Sequence, residues 1–350
     1  MPVFFDIIPR IMTSYYHHPE PFVLESGAAL DGFTIAYHTF GELNADRSNV
    51  VWVCHALTAN SDVKDWWPGT VEPDGFLNPG EYFIVCANII GSNYGTTGPL
   101  STDPATGEPY YGTFPAVTMR DIARAHSVLA TALGIDSIYA LIGSSVGGFQ
   151  ALEWAAQEPS RFGRIVLIAT DAKASPWNIA VNETQRMAIR SDSTFGKPSP
   201  DAGRDGLAAA RAIGLLTYRG PEGYNATQHE LDGGHPEPGN HRACTYQRYQ
   251  GEKLCRRFNA YSYMSILNSF DTHDIGRNRG GLAAALATLT APALVVGIST
   301  DIIFTPAEMR ALAQALPQGR YAEIQSAFGH DGFLVEHRCL NSLLIPFMHQ

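Results

Sequence analysis

The chain has 350 residues, enough to bury a large core in one elaborated domain or in a core that carries a smaller insertion. Its composition, 45% hydrophobic and only 17% charged, excludes long disordered tracts. The formal net charge of −10 argues against a nucleic-acid partner, because neutralising phosphates requires clustered Lys and Arg.

The first 41 residues predict a β-hairpin and no targeting segment. The stretch "MPVFFDIIPRIMTSYYHHPEP" lacks a basic start followed by a long apolar run, so we expect no signal peptide. Residues 22–41 contain two strand-like runs joined by a turn with glycine. We therefore expect an antiparallel hairpin at the start of the domain.

A mostly parallel sheet is predicted after the hairpin. Short, continuously apolar runs suit strands that are buried on both faces, and helical stretches lie between some of them, notably over 118–133 and 147–157. Thr118 and Asp121 resemble a capping box at the start of the first helix. This alternation predicts an α/β fold. The apolar runs are "VVWVCHAL", "YFIVCANII", "SIYALIGSS", "RIVLIATDA" and "ALVVGISTD".

The strand and helix alternation stops between residues 175 and 279, where the sequence is polar, aromatic and helical in pattern. We interpret this segment as a helical lid inserted into a core formed by residues 1–174 and 280–350. Ligands of open α/β sheets bind outside the carboxyl ends of the strands, so we expect the lid to cover that edge.

The first candidate catalytic residue is Ser145, in the run "LIGSSVGGFQALEW". A Gly-x-Ser-x-Gly pattern alone is weak evidence, but here an apolar strand precedes it and a helix follows it. This setting is typical of a nucleophile elbow, which presents the serine oxygen at a helix N-terminus, where backbone N–H groups favour negative charge. We therefore predict that Ser145 is acylated.

A general base and an orienting acid follow Ser145 in the chain order that this architecture requires. Asp301 ends the run "ALVVGISTD", and His330 lies in "SAFGHDGF" after the next strand. Backbone N–H groups must also receive the oxyanion that forms in acyl transfer. We expect these donors to be Val146, directly after the nucleophile, and Leu57, in the loop after an early strand.

A histidine-rich stretch, "HELDGGHPEPGNH", raises the alternative of a metal site. The spacing of His229, Asp232, His235 and His241 does not match HExxH or another tight ligand pattern. We interpret the stretch as a solvated loop of the lid and expect no bound metal.

Cysteine usage predicts a cytoplasmic protein. The cysteines are an odd number, widely spaced and without a Cys-x-x-Cys pair, which fits reduced thiols. No apolar run reaches the ~18 residues of a membrane span, so we expect no membrane partner. The five cysteines are Cys54, Cys86, Cys244, Cys255 and Cys339.

Longer blocks follow one another along the chain: "HALT", "NIIGSNYGTTGPLSTDPATGEPYYGTFPAVTMRD", "GSSVGGFQALEW", "ARAIGLLTYR", "YQGEKLCRRFNAYSY", "HDIGR" and "GHDGFL". In content and order they resemble the homoserine O-acetyltransferase family, over about residues 21–336. The resemblance implies an α/β-hydrolase fold with a helical lid, in which a serine takes an acyl group from acyl-CoA and passes it to an amino-acid hydroxyl. Ser145, Asp301 and His330 match the family's triad.

The resemblance also implies an amino-acid binding site. The family binds the amino acid through an Arg and a Tyr, here Arg211 and Tyr218, and through the Asp after the catalytic histidine, here Asp331. Seven positions apart on a helix, Arg211 and Tyr218 can face one ligand. Arginine offers a bidentate fork for a carboxylate, and Asp331 offers a counter-charge for an ammonium group.

The family implies acetyl transfer from acetyl-CoA to L-homoserine in methionine biosynthesis, with no cofactor besides this co-substrate, and a homodimer associated through the lid. Departures from the family pattern leave donor and acceptor open, because the usual "GGSMGGMQ" reads "GSSVGGFQ" and "RFDANSY" reads "RFNAYSY". The alternatives are succinyl-CoA as donor, L-serine as acceptor, an esterase whose lid admits water, and a non-catalytic binding protein on the same fold.

Overall fold

A twisted sheet of eight strands forms the centre of the computed structural model, which describes residues 12–231, 234 and 236–350. The strands are β1 (Ser14–Val23), β2 (Ala29–Phe40), β3 (Val50–Cys54), β4 (Phe83–Ala87), β5 (Ala140–Ser144), β6 (Ile165–Ile168), β7 (Ala293–Ile298) and β8 (Gly319–Ile324). Their spatial order is β1-β2-β4-β3-β5-β6-β7-β8. Among these eight strands, β1 with β2 and β2 with β4 are antiparallel pairs, and the other neighbouring pairs are parallel. The predicted α/β-hydrolase fold with its mostly parallel sheet is confirmed.

Helices connect the strands and cover both faces of the sheet. The predicted helices over 118–133 and 147–157 are present as Met119–Ala132 and Val146–Gln157. In the described ranges, no helix is both long and apolar enough to cross a membrane. The α-helices are α1 (Val63–Trp66), α2 (Met119–Ala132), α3 (Val146–Gln157), α4 (Pro176–Ser191), α5 (Arg204–Tyr218), α6 (Pro221–Gln228), α7 (Arg242–Cys255), α8 (Ala260–Asp271), α9 (Leu282–Ala287), α10 (Pro306–Ala315), α11 (Gly332–Val335) and α12 (His337–Met348), and 3₁₀ turns span Tyr111–Thr113 and Gly329–Asp331.

The predicted hairpin is present as β1 and β2, but β1 begins at Ser14, well before the predicted start near Phe22. Proline cannot donate to a strand ladder and is confined to edge strands and bulges. The pairing shifts register between His18 and Pro21, at this edge of the sheet. Before Phe22, β1 contains polar residues and the prolines Pro19 and Pro21, so it lacks the apolar alternation that identifies a strand.

The central strands β3, β5, β6 and β7 are buried along their whole length, which explains their continuously apolar sequences. On one face, α2 and α3 cover the sheet, and the rings of Trp52 and Trp154 meet edge to face with centroids 5.0 Å apart. On the other face, α12 contributes Leu340 and Leu344 to a second cluster around Val53. These two layers fix the carboxyl ends of the strands, where the candidate site lies.

The start of α2 carries the predicted capping box. Asp121 N–H donates to Thr118 Oγ1 over 3.3 Å, and the Asp121 carboxylate accepts the Thr118 N–H over 2.9 Å. The second Asp121 oxygen accepts the backbone N–H of Glu25 over 2.8 Å. The cap therefore also fastens the hairpin to α2.

Helices α4 to α8, which we call the lid, are inserted between β6 and β7. The chain enters and leaves the lid side by side: Ala174 N–H donates to the His273 carbonyl over 2.9 Å, and Ile275 N–H donates to the Ala172 carbonyl over 3.1 Å. We call these two paired segments, 172–174 and 273–275, the neck. Through the neck, the lid is anchored next to the carboxyl end of β6.

Candidate active site

Ser145 occupies the turn between β5 and α3, with φ 54° and ψ −126°. A non-glycine residue at such a φ stores about 1–3 kcal/mol of strain, which the surrounding structure must maintain. Two glycines permit the turn: a Cβ on Gly147 would lie 2.0 Å from the Cys54 carbonyl oxygen, and one on Gly143 would lie 2.3 Å from the Gly147 carbonyl oxygen. Helix α3 is therefore pressed against the end of β3, with Ser145 at its N-terminus.

His330 and Asp301 meet Ser145 at the carboxyl edge of the sheet. His330 Nε2 lies 2.8 Å from Ser145 Oγ, and His330 Nδ1 lies 2.7 Å from Asp301 Oδ2. The second Asp301 oxygen accepts the backbone N–H groups of Ile303 and Phe304, over 2.7 and 3.1 Å. The nucleophile, base and acid expected from the sequence are all buried and form one hydrogen-bonded line.

The hydrogen bond to Asp301 assigns the ring proton of neutral His330 to Nδ1, which leaves Nε2 to accept the Ser145 hydroxyl. Burial disfavours the charged imidazolium, but the charge of Asp301, its hydrogen bond and the charge of Asp331 outweigh burial and raise the pKa of His330. The group is therefore a stronger base than an ordinary histidine. Such a line can activate a hydroxyl nucleophile and stabilise the imidazolium that forms.

The two expected oxyanion donors belong to neighbouring segments at the same edge. Val146 is the first residue of α3, so its N–H has no acceptor within the helix. Leu57 follows β3 and lines the cavity that contains Ser145. The close approach of Gly147 to Cys54 holds the two segments together. In this architecture, an oxyanion hole is formed by these segments.

A cavity of about 440 Å³ lies above Ser145, with walls from both the sheet edge and the lid. It combines apolar side chains with a few convergent polar groups, as is typical of a small-molecule site. The polar groups come from α4, α5 and α7 of the lid and also from the sheet edge and its loops. The apolar side chains include Leu57, Val181, Phe270, Ile303, Phe333 and Leu334.

Helix α5 brings Arg211 and Tyr218 to this cavity, and the 3₁₀ turn that carries His330 brings Asp331. The Arg211 guanidinium carbon lies 5.3 Å from the centroid of the Tyr218 ring, whose centroid lies 6.1 Å from that of His330. Burial raises the pKa of Tyr218, so its hydroxyl remains a hydrogen-bond donor at neutral pH. All three residues that the resemblance assigns to the amino acid therefore line the wall beside the base.

Arg219, which directly follows α5, is a residue that the sequence reasoning misses. Its Nε–H donates to Asp331 Oδ2 over 3.0 Å, and the two side chains are only 24% and 14% exposed. The sequence offers one indication of a role for Arg219, which is that it directly follows Tyr218 in the block "ARAIGLLTYR". A cation that binds in the cavity would share the Asp331 carboxylate with Arg219.

Helix α4 contributes a second missed feature, a stripe of amide side chains along the cavity wall. Asn178, Asn182 and Gln185 are spaced by four and three residues, which puts them on one helix face. Asn182 Nδ2 donates to Asp271 Oδ1 over 2.8 Å, and Gln185 Oε1 accepts the Tyr263 hydroxyl over 2.5 Å. The spacing is visible in the sequence, but only the fold shows that this face meets a cavity.

Exposed charged side chains line the outer part of the cavity. Lys253 of α7 and Arg257, two residues beyond that helix, are exposed cations of this wall. Arg257 Nη1 donates to the Thr58 carbonyl over 2.5 Å. The exposed acid of the same wall, Asp65, accepts a hydrogen bond from Asn60 over 2.8 Å. We call this outer part, lined by Lys253, Arg257 and Asp65, the mouth of the cavity. It has two exposed cations and one exposed acid, so it is basic, although the whole chain has a net charge of −10.

The described histidines of the histidine-rich stretch do not line the cavity. His229 and His241 are both exposed, and His241 Nδ1 lies 3.3 Å from Glu230 Oε1. Asp232 and His235, the other two members of the candidate metal set, lie outside the described residues. Among the side chains that the structure does describe, no three His, Cys, Asp or Glu are placed to hold a metal ion.

Comparisons with known proteins connect this geometry to named relatives. The alpha/beta hydrolase fold family matches residues 49–197. The chain is 46% identical over 332 residues to the homoserine O-acetyltransferase of Cyclobacterium marinum, covering 95% of this chain and 94% of the relative. It is 39% identical over 341 residues to that of Chlorobaculum tepidum, covering 97% and 95%.

Solved structures share the fold at lower identity. The homoserine O-acetyltransferase of Bacillus anthracis superposes with a TM-score of 0.90 at 23% identity, covering 97% of this chain and 98% of that one. Esterase E22 superposes with a TM-score of 0.89 at 21% identity, covering 97% and 100%. Because a transferase and an esterase fit equally well, the fold alone does not separate transfer from hydrolysis, whereas the sequence relatives do.

Proposed function

The chain belongs to the homoserine O-acetyltransferase family and is an acyltransferase, and from this premise we propose that Ser145 carries an acetyl group from acetyl-CoA to L-homoserine. The observation that supports this most directly is the hydrogen-bonded line from Asp301 through His330 to Ser145. It ends in a cavity that also holds groups of both charges.

In the first half-reaction, Ser145 Oγ attacks the thioester carbonyl while His330 Nε2 takes the hydroxyl proton. The carbonyl oxygen becomes an oxyanion, which the N–H groups of Leu57 and Val146 receive. The C–S bond then breaks, the imidazolium of His330 returns its proton to the CoA thiolate, and acetyl-Ser145 remains. Asp301 stabilises the imidazolium throughout without taking its proton.

In the second half-reaction, the homoserine hydroxyl attacks acetyl-Ser145. His330 removes the hydroxyl proton, the same oxyanion donors act again, and the departing Ser145 oxygen receives the proton from His330. The products are O-acetylhomoserine and the free serine. Both half-reactions use one base in one position, and the acyl-serine intermediate between them gives a ping-pong order.

The charges of the inner cavity support a zwitterionic acceptor. Arg211 offers a planar fork that suits a carboxylate, and the Tyr218 hydroxyl adds a donor. Asp331 directly follows His330, so an ammonium held there lies close to the base. An amino acid held by its carboxylate and its ammonium group would leave its side-chain hydroxyl free to reach His330.

The basic mouth supports a donor that carries phosphates. The thioester of acetyl-CoA must reach Ser145, while its phosphate groups remain at the solvent-facing end of the cavity. Lys253 and Arg257 line that end, and cations there attract phosphate groups. We assign them to the donor phosphates. No other cofactor enters the proposed mechanism.

Transfer competes with hydrolysis for the same acyl-serine. A lid that narrows access for water and holds the acceptor favours transfer. The apolar wall formed by Leu57, Phe270 and Phe333 supports exclusion of water beside Ser145. The names of the sequence relatives do not favour the esterase, succinyl or serine alternatives.

We also propose that the lid segment 175–279 is an insertion into a core of residues 1–174 and 280–350, and that two copies of the chain form a homodimer through their lids. Apolar side chains of the lid support this, since Trp177, Met187, Leu216 and Tyr249 are each at least half exposed. Light scattering at micromolar concentration should give twice the chain mass, and a monomer mass would contradict the proposal.

We propose a cytoplasmic location for the protein, which the five free cysteines support.

The decisive test is release of CoA thiol by the purified protein. Acetyl-CoA or succinyl-CoA is offered with L-homoserine, with L-serine or without acceptor, and Ser145→Ala is compared with Ser144→Ala. Ser144 is adjacent and buried, but its hydroxyl forms no hydrogen bond within the described chain. Mass spectrometry after acetyl-CoA alone should locate one acetyl group on Ser145.

We expect rapid release from acetyl-CoA only with homoserine, retained activity in Ser144→Ala and none in Ser145→Ala. A preference for serine or for succinyl-CoA would keep the mechanism and change the substrates. Release that is equally fast without acceptor would identify a hydrolase and overturn the proposal.

A further inference from the structure

Gln150 connects the two chain segments that supply the candidate oxyanion donors. It is fully buried in α3, and its Nε2 donates to the His55 carbonyl over 3.1 Å and to the Val146 carbonyl over 3.3 Å. Val146 is itself one donor residue, and His55 lies two residues before Leu57, the other. One side-chain amide therefore holds both segments.

His126 of α2 fixes the orientation of the Gln150 side-chain amide. His126 Nε2 lies 3.1 Å from Gln150 Oε1. Burial lowers the pKa of His126 to about 4, so the ring is neutral at neutral pH. Its Nδ1 has no hydrogen-bond partner in the described chain, which assigns the single ring proton to Nε2. His126 thus donates to Oε1, and the amide NH₂ of Gln150 points at the two carbonyls.

The segment around His55 is also held from its other side. The His55 ring is buried, with Nε2 2.9 Å from Asn88 Oδ1 and Nδ1 2.8 Å from the Ala56 carbonyl oxygen. Gly147 allows α3 to touch the Cys54 carbonyl directly. The segment around His55 is therefore held between Asn88 on one side and α3 on the other. On the α3 side, the hydrogen bond comes from the Gln150 side chain.

We propose that Gln150 is a positioning residue of the oxyanion hole, which sets the separation and direction of the Leu57 and Val146 N–H groups. Peptide units are planar. The His55 carbonyl lies in the unit directly before that of the Leu57 N–H, and the Val146 carbonyl lies in the unit directly after that of the Val146 N–H. Each bonded carbonyl therefore restricts the adjacent donor unit through the one pair of backbone dihedral angles that joins them. Gln150 does not line the cavity and acts only through these backbone groups. The inference rests on the proposed acyl-serine chemistry, but it does not depend on which donor and acceptor are used.

The expected effect is on catalysis and much less on binding. Removing one oxyanion donor lowers kcat by ~100- to 1000-fold, and misplacing catalytic groups by about 1 Å costs ~100-fold. Gln150→Met keeps the length of the side chain but can neither donate nor accept these hydrogen bonds. We expect kcat to fall by about 30- to 100-fold, with the KM of each substrate within about twofold.

Labelling of Ser145 by a fluorophosphonate provides a second readout. The phosphoryl oxygen of this probe takes the oxyanion position as the serine attacks, so its rate reports the hole without acetyl-CoA or homoserine. We expect the labelling rate of Gln150→Met to fall by a factor similar to that of kcat.

Gln157→Met is the matched control. Gln157 ends the same helix, and its Nε2 donates to the Arg120 carbonyl over 3.2 Å. The control removes the same kind of hydrogen bond at the other end of α3, so it should leave kcat and labelling unchanged. Normal kcat and normal labelling in a folded Gln150→Met variant would overturn the inference.

A second variant keeps the test open if Gln150→Met fails to fold. Gln150→Glu places a buried carboxyl there, which can donate to the His55 carbonyl only when protonated. Its kcat relative to the wild type should rise as the pH falls, and a pH-independent ratio would contradict the inference. If the wild type is not labelled on Ser145 at all, the proposed acyl-serine chemistry fails instead, which is a different result.

Discussion

Arg219 and Asp331 join the lid to the core across the candidate amino-acid site, with Arg219 Nε donating to Asp331 Oδ2 over 3.0 Å. Arg219 directly follows α5 of the lid, and Asp331 directly follows the base, His330. The same carboxylate therefore contacts the lid and raises the pKa of His330. An ammonium group bound at Asp331 would affect the position of α5 as well as the protonation of the base.

We expect Asp331→Asn to weaken acceptor binding selectively. A hydrogen bond to a charged partner contributes about 1.5–3 kcal/mol, so the KM of homoserine should rise by about 10- to 100-fold while the KM of acetyl-CoA stays nearly constant. Steady-state kinetics with each substrate varied in turn provide the measurement. Asp65→Asn, which removes a carboxylate of the same cavity at its mouth, is the control. An equal rise in both KM values for Asp331→Asn would argue against this assignment.

The pH dependence should report the environment of His330. The free base is the active form, and its pKa is raised above the ordinary value, so kcat/KM should fall as the pH drops through that raised pKa. Asp301→Asn removes the charge that raises it. Although this variant is slower, its acidic limb should therefore move to lower pH. If the acidic limb of the kcat/KM profile stays at the same pH in Asp301→Asn, a group other than His330 controls that limb.

Lys253→Met should weaken binding of the nucleotide part of the donor. We expect the KM of acetyl-CoA to rise about 3- to 10-fold, since an exposed charge contact contributes roughly 1 kcal/mol. The KM of acetyl-pantetheine, which lacks phosphates, should not change. Lys197→Met removes another exposed lysine, which does not line the cavity, and should behave like the wild type. An increase for both donors would contradict a phosphate contact.

Glu153 should be important for stability and not for chemistry. It is 1% exposed, accepts hydrogen bonds from Arg279 over 2.5 and 3.1 Å, and lies 3.3 Å from Arg120 Nε. Removing one partner of a buried ion pair costs about 3–5 kcal/mol, and we expect a loss near the lower end for Glu153→Ala, because both arginines are partly exposed. Urea unfolding followed by circular dichroism measures it.

An exposed ion pair provides the comparison for this experiment. Glu252 pairs with Arg204 on the lid surface, where both side chains are at least 39% exposed. Glu252→Ala should cost less than about 1 kcal/mol. Equal losses in the two variants would mean that burial does not determine the contribution of these pairs.

The catalytic line could be predicted from sequence because strand ends are easy to identify and the sheet determines where they meet. Ser145 and Asp301 follow the buried apolar strands β5 and β7, and His330 follows β8, a more exposed strand that pairs with β7. Parallel strands bring their carboxyl ends to one edge of the sheet. Local signals also sufficed for the capping box at Thr118 and Asp121, whose spacing alone defines it.

The lid contributions could not be predicted in the same way, because no sheet fixes how its helices pack. Arg219 and Lys253 differ little in sequence from other surface cations, and only the packing of α5 and α7 brings one to Asp331 and the other to the cavity mouth. Gln150 was visible beside the nucleophile in "GSSVGGFQ", yet its function depends on a contact with a carbonyl 95 positions earlier.

The neck has a consequence for how this enzyme architecture can diversify. Because the chain enters and leaves the lid through two segments that are hydrogen-bonded to each other, a replacement segment needs only to bring its own two ends together at 172–174 and 273–275. The triad and the oxyanion segments all lie outside that boundary. Grafting the equivalent segment from another chain of this fold would therefore replace the part of the proposed acceptor site that α5 carries and the cations of the cavity mouth, while Asp331 and the proposed acylation residues stay in place.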